Sequence, residues 1–317
     1  MVSIGIDLGG TNIAAGVVND DGQIEARLCV ATRPERSYSE ILSSMADCVH
    51  QLMDNHRISC DQIRGVGIGI PGIVIEPLGL VAQCTNLRWF NRPIRTDMKS
   101  FIPFPVRISN DANLAALAES CSGAAAGCRS CALLTLGTGV GGGIVINGRP
   151  WSGALGQAGE FGHTVLVADG IPCACGRSGC VEQYCSATAL ASKARHLCTA
   201  FPESAILAAA NGNPDSISAE MVINAARNGD PQAMRLFRQY AHYLALTIDN
   251  IINTVNPEVV LIGGGVSQAG SFLLDAVRAE IPSHTCGFSR PLPRVELAKL
   301  RNDAGIIGAA MLFREDL

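Results

Sequence analysis

Apolar residues alternate with small or polar ones on both sides of Gly9 and Gly10 between Val2 and Val18. That pattern predicts a strand, a tight glycine turn and a returning strand. Residues 132 to 148 (ALLTLGTGVGGGIVING) repeat the design more than a hundred positions later, which points to a chain made of two related halves. Between the two hairpins the pattern predicts an amphipathic helix over Tyr38–Asn55, a buried strand running into a Pro-Gly turn over Gly65–Gly72, and a strand over Val106–Ser109. An Ala-rich helix follows from about Ala112. Beyond the second hairpin comes a Cys/His/Gly-rich loop, Gly162–Glu182, and then a mainly helical region in which Pro231 opens a helix running to about Val255. A strand over Glu258–Ile262 ends in Gly263, Gly264 and Gly265, and the last apolar helix, Asp303–Phe313, takes Asn302 or Asp303 as its cap. That last helix is expected to return to the first domain. The division that results is a smaller α/β domain of residues 1–117 plus 301–317 and a larger one of residues 118–300 that carries the Cys/His loop.

A chain of 317 residues is long enough for two domains with separate cores. Net charge is −4, so no basic face is offered to nucleic acid or to an anionic membrane. The N-terminus reads straight into a strand without the features of a secretion signal, and the longest uncharged stretch, Ser130–Gly148, is broken by glycines and threonines. The expectation is a cytoplasmic protein, where the 13 cysteines stay reduced and a Cys cluster reads as metal ligation.

Asp7 stands at a strand end before Gly9, Gly10, Thr11 and Asn12, a turn whose backbone N–H groups can face phosphate oxygens while Asp7 holds Mg2+ through water. A plain hairpin turn explains the same residues when they are taken alone. Thr138, Gly139 and Gly141 in the second hairpin offer further donors to one phosphate chain, and a nucleotide clamped between two domains needs two such loops. Gly264 and Gly265 add a close-approach surface suited to a flat adenosine. None of these matches the Walker pattern or has the βαβ context of a dinucleotide fingerprint.

Asn110 and Asp111 follow a strand and precede a helix. Phosphoryl transfer to an alcohol benefits from a carboxylate that accepts the hydroxyl proton, which assigns Asp111 as general base, although the same residue type also caps helices. His163, Cys173, Cys175 and Cys180 form H-x9-C-x-C-x4-C amid turn glycines. Three thiolates and one imidazole complete a tetrahedral shell with no open position, the signature of structural Zn2+. Glu160 and Glu182 flank that loop, where carboxylates either read sugar hydroxyls or simply face solvent.

Taken together, D-L-G-G-T-N, G-I-P-G, N-L-R-W, N-D-A-N, G-T-G-V-G-G-G, G-E-F-G-H, C-x-C-G-x-x-G-C-x-E and G-G-G resemble, in order and over essentially the whole chain, the ROK family of sugar kinases. The resemblance implies the actin/hexokinase-like (ribonuclease H-like) two-domain ATPase fold with a cleft between domains. It implies phosphate binding around Gly9–Asn12 and Thr138–Gly142, and sugar contacts from Asn110, Glu160, His163 and Glu182, with Gly72 and Asn86 in the G-I-P-G and N-L-R-W segments. His163 would serve both sugar and zinc. ATP, a sugar, Mg2+ and Zn2+ are the implied ligands, and a homodimer or homotetramer the implied assembly. Sugar-responsive regulators of the same family carry a helix-turn-helix before the first strand, whereas here the strand begins at Val2. Glucose is the expected substrate, with allose, fructose, N-acetylmannosamine and N-acetylglucosamine as alternatives.

Overall fold

A computed structural model describes residues 1–281 and 291–314; the end of the expected first domain, 315–317, lies outside them. The chain forms two compact units: Met1–Cys131 with Gly143–Gly159 and the segment from Lys299 onward, and Ala132–Gly142 with Glu160–Ala298. Strands β9 and β10, given below, run across the boundary.

In the first unit β1 (Val2–Leu8), β2 (Asn12–Val18) and β3 (Ile24–Ala31) form an antiparallel meander, and β4 (Ile63–Ile70) and β8 (Val106–Asn110) continue the sheet in parallel, in the order β3-β2-β1-β4-β8. Helix α1 (Tyr38–His56) starts at a capping box, in which Ser37 Oγ accepts from the Glu40 N–H and Glu40 Oε2 accepts from the Ser37 N–H at 2.8 Å. A small antiparallel sheet, β5 (Ile73–Ile75), β6 (Leu80–Cys84) and β7 (Trp89–Arg92), follows β4, and a short helix α2 (Ile94–Asp97) leads toward β8. Helix α3 (Asp111–Ser122) leaves the end of β8.

The second five-stranded sheet has the order β11-β10-β9-β12-β13, from β9 (Ser130–Leu136), β10 (Val140–Ile146), β11 (Arg149–Pro150), β12 (Val259–Gly263) and β13 (Arg294–Leu297). Its plan repeats that of the first: an antiparallel edge, then a parallel pair such as β12 and β13. The repeat expected from the two glycine hairpins is therefore real at the level of topology. The helices of this unit are α4 (Glu182–Cys185), α5 (Ala187–Ala200), α6 (Ala205–Ala209), α7 (Ala219–Arg227), α8 (Pro231–Val255) and α9 (Ser271–Glu280). Pro231 occupies the first turn of α8 as predicted, and Asp230 caps it by accepting from the Gln232 and Ala233 N–H groups. The core of this unit is lined by α7 and α8 through Val222, Ile223, Phe237, Leu244 and Ile248, packed on Val260 and Ile262 of β12.

The chain re-enters the first unit under one buried carboxylate. Glu119, 1% exposed near the end of α3, accepts the backbone N–H groups of Ala124, Lys299 and Leu300, each at 2.7 Å. The final helix α10 (Ala304–Met311) then packs on β1, β4 and α3. It does so at backbone contact: a Cβ on Gly5 or Gly67 would collide with the Ile306 or Ala309 carbonyl. Asp303 precedes this helix as expected but forms no side-chain cap, because its own backbone, at φ −82° and ψ −16°, is already helical rather than in the extended geometry of a capping residue. None of the helices among the described residues is long and apolar enough to cross a membrane.

Candidate functional site

The parallel register of the first sheet sets Asp7 beside Gly69, and Ile70 beside Asn110, so the ends of β1, β4 and β8 deliver their residues to one edge of the sheet. Asn110 is the N-cap of α3. Its Oδ1 accepts the Ala112 and Asn113 N–H groups at 2.9 and 3.1 Å, and its Nδ2 donates to the Gly72 carbonyl at 3.0 Å. Asp111 is thus the first helical residue rather than the cap, although its Oδ1 also accepts the Ala112 N–H at 2.9 Å. Gly72 sits at φ 122°, where a Cβ would collide with the Gln83 carbonyl, so this turn needs glycine.

Asp7 is near enough to Asp111 for the two charges to oppose each other. Burial first, and then the Asp111 carboxylate, push the Asp7 carboxyl up from 3.8 to about 6. In the turn that follows, the Gly9 N–H donates to the Asn12 carbonyl at 2.9 Å, Thr32 Oγ donates to the Gly9 carbonyl at 2.7 Å, and Thr11 and Asn12 are exposed. Asn86 lies against Gly10, its Cβ 3.5 Å from where a Gly10 Cβ would stand. Glu76 was not legible in the sequence. It receives a short hydrogen bond from Ser109 Oγ, and burial raises its carboxyl despite that bond. With Asn110 on Gly72, this second bond staples both ends of segment 72–76 to residues 109 and 110; the contact is long-range, and no local pattern announces it.

In the second unit, Thr138 and Gly139 lie in the turn that links β9 to β10 and Gly141 near the start of β10, with Glu182 against the turn: Oε2 accepts the Val140 N–H at 3.0 Å. Glu160 is exposed and forms no side-chain hydrogen bond among the described residues. The ligand atoms of His163, Cys173, Cys175 and Cys180 all lie within 4.8 Å of one another. Cys175 and Cys180 Sγ are 3.5 Å apart, and Cys173 Sγ is 3.8 Å from His163 Nδ1. A tetrahedron with bonds of about 2.3 Å has edges of about 3.8 Å, so the four atoms already have the spacing of a closed metal shell. The Cys175 thiol is drawn down to about 6, chiefly by a backbone hydrogen bond from Arg177, whereas burial pushes Cys180 up. Backbone bonds hold the loop in this shape, among them Cys173 N–H to the Arg177 carbonyl and Val181 N–H to the Thr164 carbonyl, and Tyr184 Oη accepts the Ile171 N–H at 2.9 Å.

Gly264 packs on β9 so closely that a Cβ would collide with the Leu136 backbone. Gly265 opens on a pocket of about 410 Å3 lined by Ser218, Glu220, Ile223, Asn224, Arg227 and Gln268 among others, a volume suited to a nucleoside. Only its glycine rim was foreseen. The side chains come from α7 and the turn after β12, which are far apart in sequence, and the helical period of α7 reports its core face and not this one.

The ROK family model matches residues 3–316. The glucokinase of Halalkalibacterium halodurans is 36% identical over 319 residues, covering 98% of this chain and 94% of the relative. The glucokinase of Streptomyces coelicolor is also 36% identical, covering 99% and 98%. Among solved structures, a ROK family glucokinase from Streptomyces griseus in complex with glucose and AMPPNP superposes with a TM-score of 0.81 at 36% identity, covering 98% of this chain and 99% of that one.

The Asp7 carboxyl gives a prediction with a definite sign. Its folded pKa is raised, so its contribution to stability is fully present below about pH 3.8 and is lost as pH rises through about 6. Asp7→Asn removes that penalty: in metal-free denaturant titrations the variant is more stable than wild type by up to about 3 kcal/mol at pH 7.5, and the gain closes toward pH 4. Equal stabilities across that range would show that Asp7 is not held in this environment.

Proposed function

This chain belongs to the ROK family, and we propose that it is an ATP-dependent hexose kinase that transfers the γ-phosphoryl group of ATP to the 6-hydroxyl of glucose, with Asp111 as general base. The observation that carries the assignment of the base is the β8–α3 junction. Asn110 takes the capping work, so the Asp111 carboxylate is not needed to start the helix. In the transfer, the sugar oxygen bonds to the γ-phosphorus as the bond to the β-phosphate oxygen breaks, and the hydroxyl proton passes to Asp111.

Gly9–Asn12 and Thr138–Gly141 are assigned to the phosphates, and the pocket at Gly265 to the adenosine. Asp7 is assigned to Mg2+ through water; when bound, the ion neutralises charge on the phosphate oxygens. Asn110, Glu160, His163 and Glu182 are assigned to sugar hydroxyls, with Gly72 and Asn86 shaping the neighbouring turns. His163, Cys173, Cys175 and Cys180 are the ligands of a structural zinc: His163 turns Nδ1 toward Cys173, which leaves Nε2 for the sugar. A cytoplasmic setting fits the free thiols of the described cysteines and the need for ATP, and a homodimer or homotetramer is carried over from the family resemblance.

ADP release measured over glucose, allose, fructose, N-acetylglucosamine and N-acetylmannosamine tests the activity. The expected result is the highest kcat/KM for glucose, by about tenfold or more, with glucose 6-phosphate as product; no sugar-dependent ADP release with any of them would overturn the reading. For the metal, purified protein never exposed to chelator should hold one zinc per chain, and Cys175→Ala should be metal-poor, should melt at lower temperature and should show a larger rise in KM for sugar than for ATP. Fully active wild type free of zinc would refute the metal assignment.

A further inference from the structure

One carboxylate in the second unit touches two pieces of the machinery. Glu182 stands two residues after the ligand Cys180 and opens α4. Its Oε2 accepts the Val140 N–H at 3.0 Å, and a Cβ on Gly139 would collide with that same oxygen. Oε1 accepts no hydrogen bond among the described residues. The other end of the loop is tied to the same stretch of chain, because the N–H of Ala187, the first residue of α5, donates to the Gly137 carbonyl at 2.8 Å. Inside the loop the Gly137 N–H donates to the Gly139 carbonyl at 3.0 Å. Residues 182–187 therefore grip residues 137–140 at both ends.

A loop with glycine at 137, 139 and 141 has many backbone conformations to lose, so a tether to a charged acceptor has a large effect on which one it keeps. A carboxylate is rigid and planar, and fixing Oε2 on Val140 fixes where Oε1 points. We propose that Glu182 is a positioning residue for the second glycine loop as well as a sugar ligand, so that the sugar-binding carboxylate and the phosphate loop are ordered together and each ligand alters affinity for the other. This rests on reading Thr138–Gly141 as a phosphate loop and Glu182 as a sugar contact. Coupling of this kind is reciprocal, and each side can be disturbed from the other.

Calorimetric titrations test it one ligand at a time, with Mg2+-AMPPNP in the absence of sugar and glucose in the absence of nucleotide. The proteins are wild type, Glu182→Ala, Glu182→Gln and Gly139→Ala, each checked for wild-type zinc content and melting temperature. Glu182→Ala should weaken AMPPNP by about tenfold, the scale of one hydrogen bond to a charged group. Glu182→Gln should restore most of that affinity, because the amide oxygen still accepts the Val140 N–H, yet it should not restore glucose binding. Gly139→Ala keeps the Glu182 side chain but forces its carboxylate to shift, and should weaken glucose by about fivefold or more. Should Glu182→Ala lose its zinc, the Gly139→Ala arm decides alone. Equal AMPPNP affinity in wild type and a zinc-replete Glu182→Ala, or unchanged glucose affinity in Gly139→Ala, would overturn the proposal while leaving the kinase reading intact. Wild type that binds glucose but not AMPPNP would overturn both.

Discussion

Asn110 makes three hydrogen bonds with one side chain, and the chemistry proposed for the first unit depends on where they leave the residue that follows. Two of them start α3 and the third holds the turn at Gly72, so the end of β8, the beginning of the helix and the segment after β4 are fixed at one point. Ser109 adds a bond to Glu76 from the opposite face of the strand. Asp111 follows directly from this junction as the first residue of the helix, and its own Oδ1 also accepts the Ala112 N–H. Replacing the cap alone typically costs about 1 kcal/mol of helix stability, but the larger consequence is geometric, because a proton acceptor must sit within hydrogen-bond reach of the hydroxyl it serves.

The second unit solves the same problem by other means. Its sheet follows the same plan, but the residue that steadies the glycine loop is brought by a Cys/His loop and not by a strand end. That loop packs Leu166, Val167 and Val181 on the core of its unit, and its shape comes from this packing and from backbone hydrogen bonds. A metal bound there would stiffen the segment that carries His163 and Glu182, so under the proposed assignment an ion outside the reaction would act on sugar affinity.

Local patterns carried much of the fold. The two hairpins, α1 and α8 fall within a residue or two of the elements predicted for them, because glycine turns, a capping box and a proline at a helix start each act over a few neighbouring residues. The clustering of His163, Cys173, Cys175 and Cys180 was equally readable, since all four lie within one short loop and their ligand atoms come within 4.8 Å of one another. What the sequence did not show depends on distant contacts: Ser109 on Glu76, Glu119 on Lys299 and Leu300, and the pocket walls from α7. The expected side-chain cap on the last helix also failed to form, because the Asp303 backbone is already helical. Glu182 stands between these cases: its place beside the ligands was readable, its bond to Val140 was not.

The central claim is that Asp111 serves as the proton acceptor and Asn110 as the cap, and Asp111→Asn separates the two roles most directly. Single-turnover transfer from ATP to glucose should slow by about 100-fold or more, while glucose affinity and melting temperature stay close to wild type because the cap is untouched. A variant that transfers phosphate at near wild-type rate, or one that loses rate only because it has lost its fold, would contradict the account.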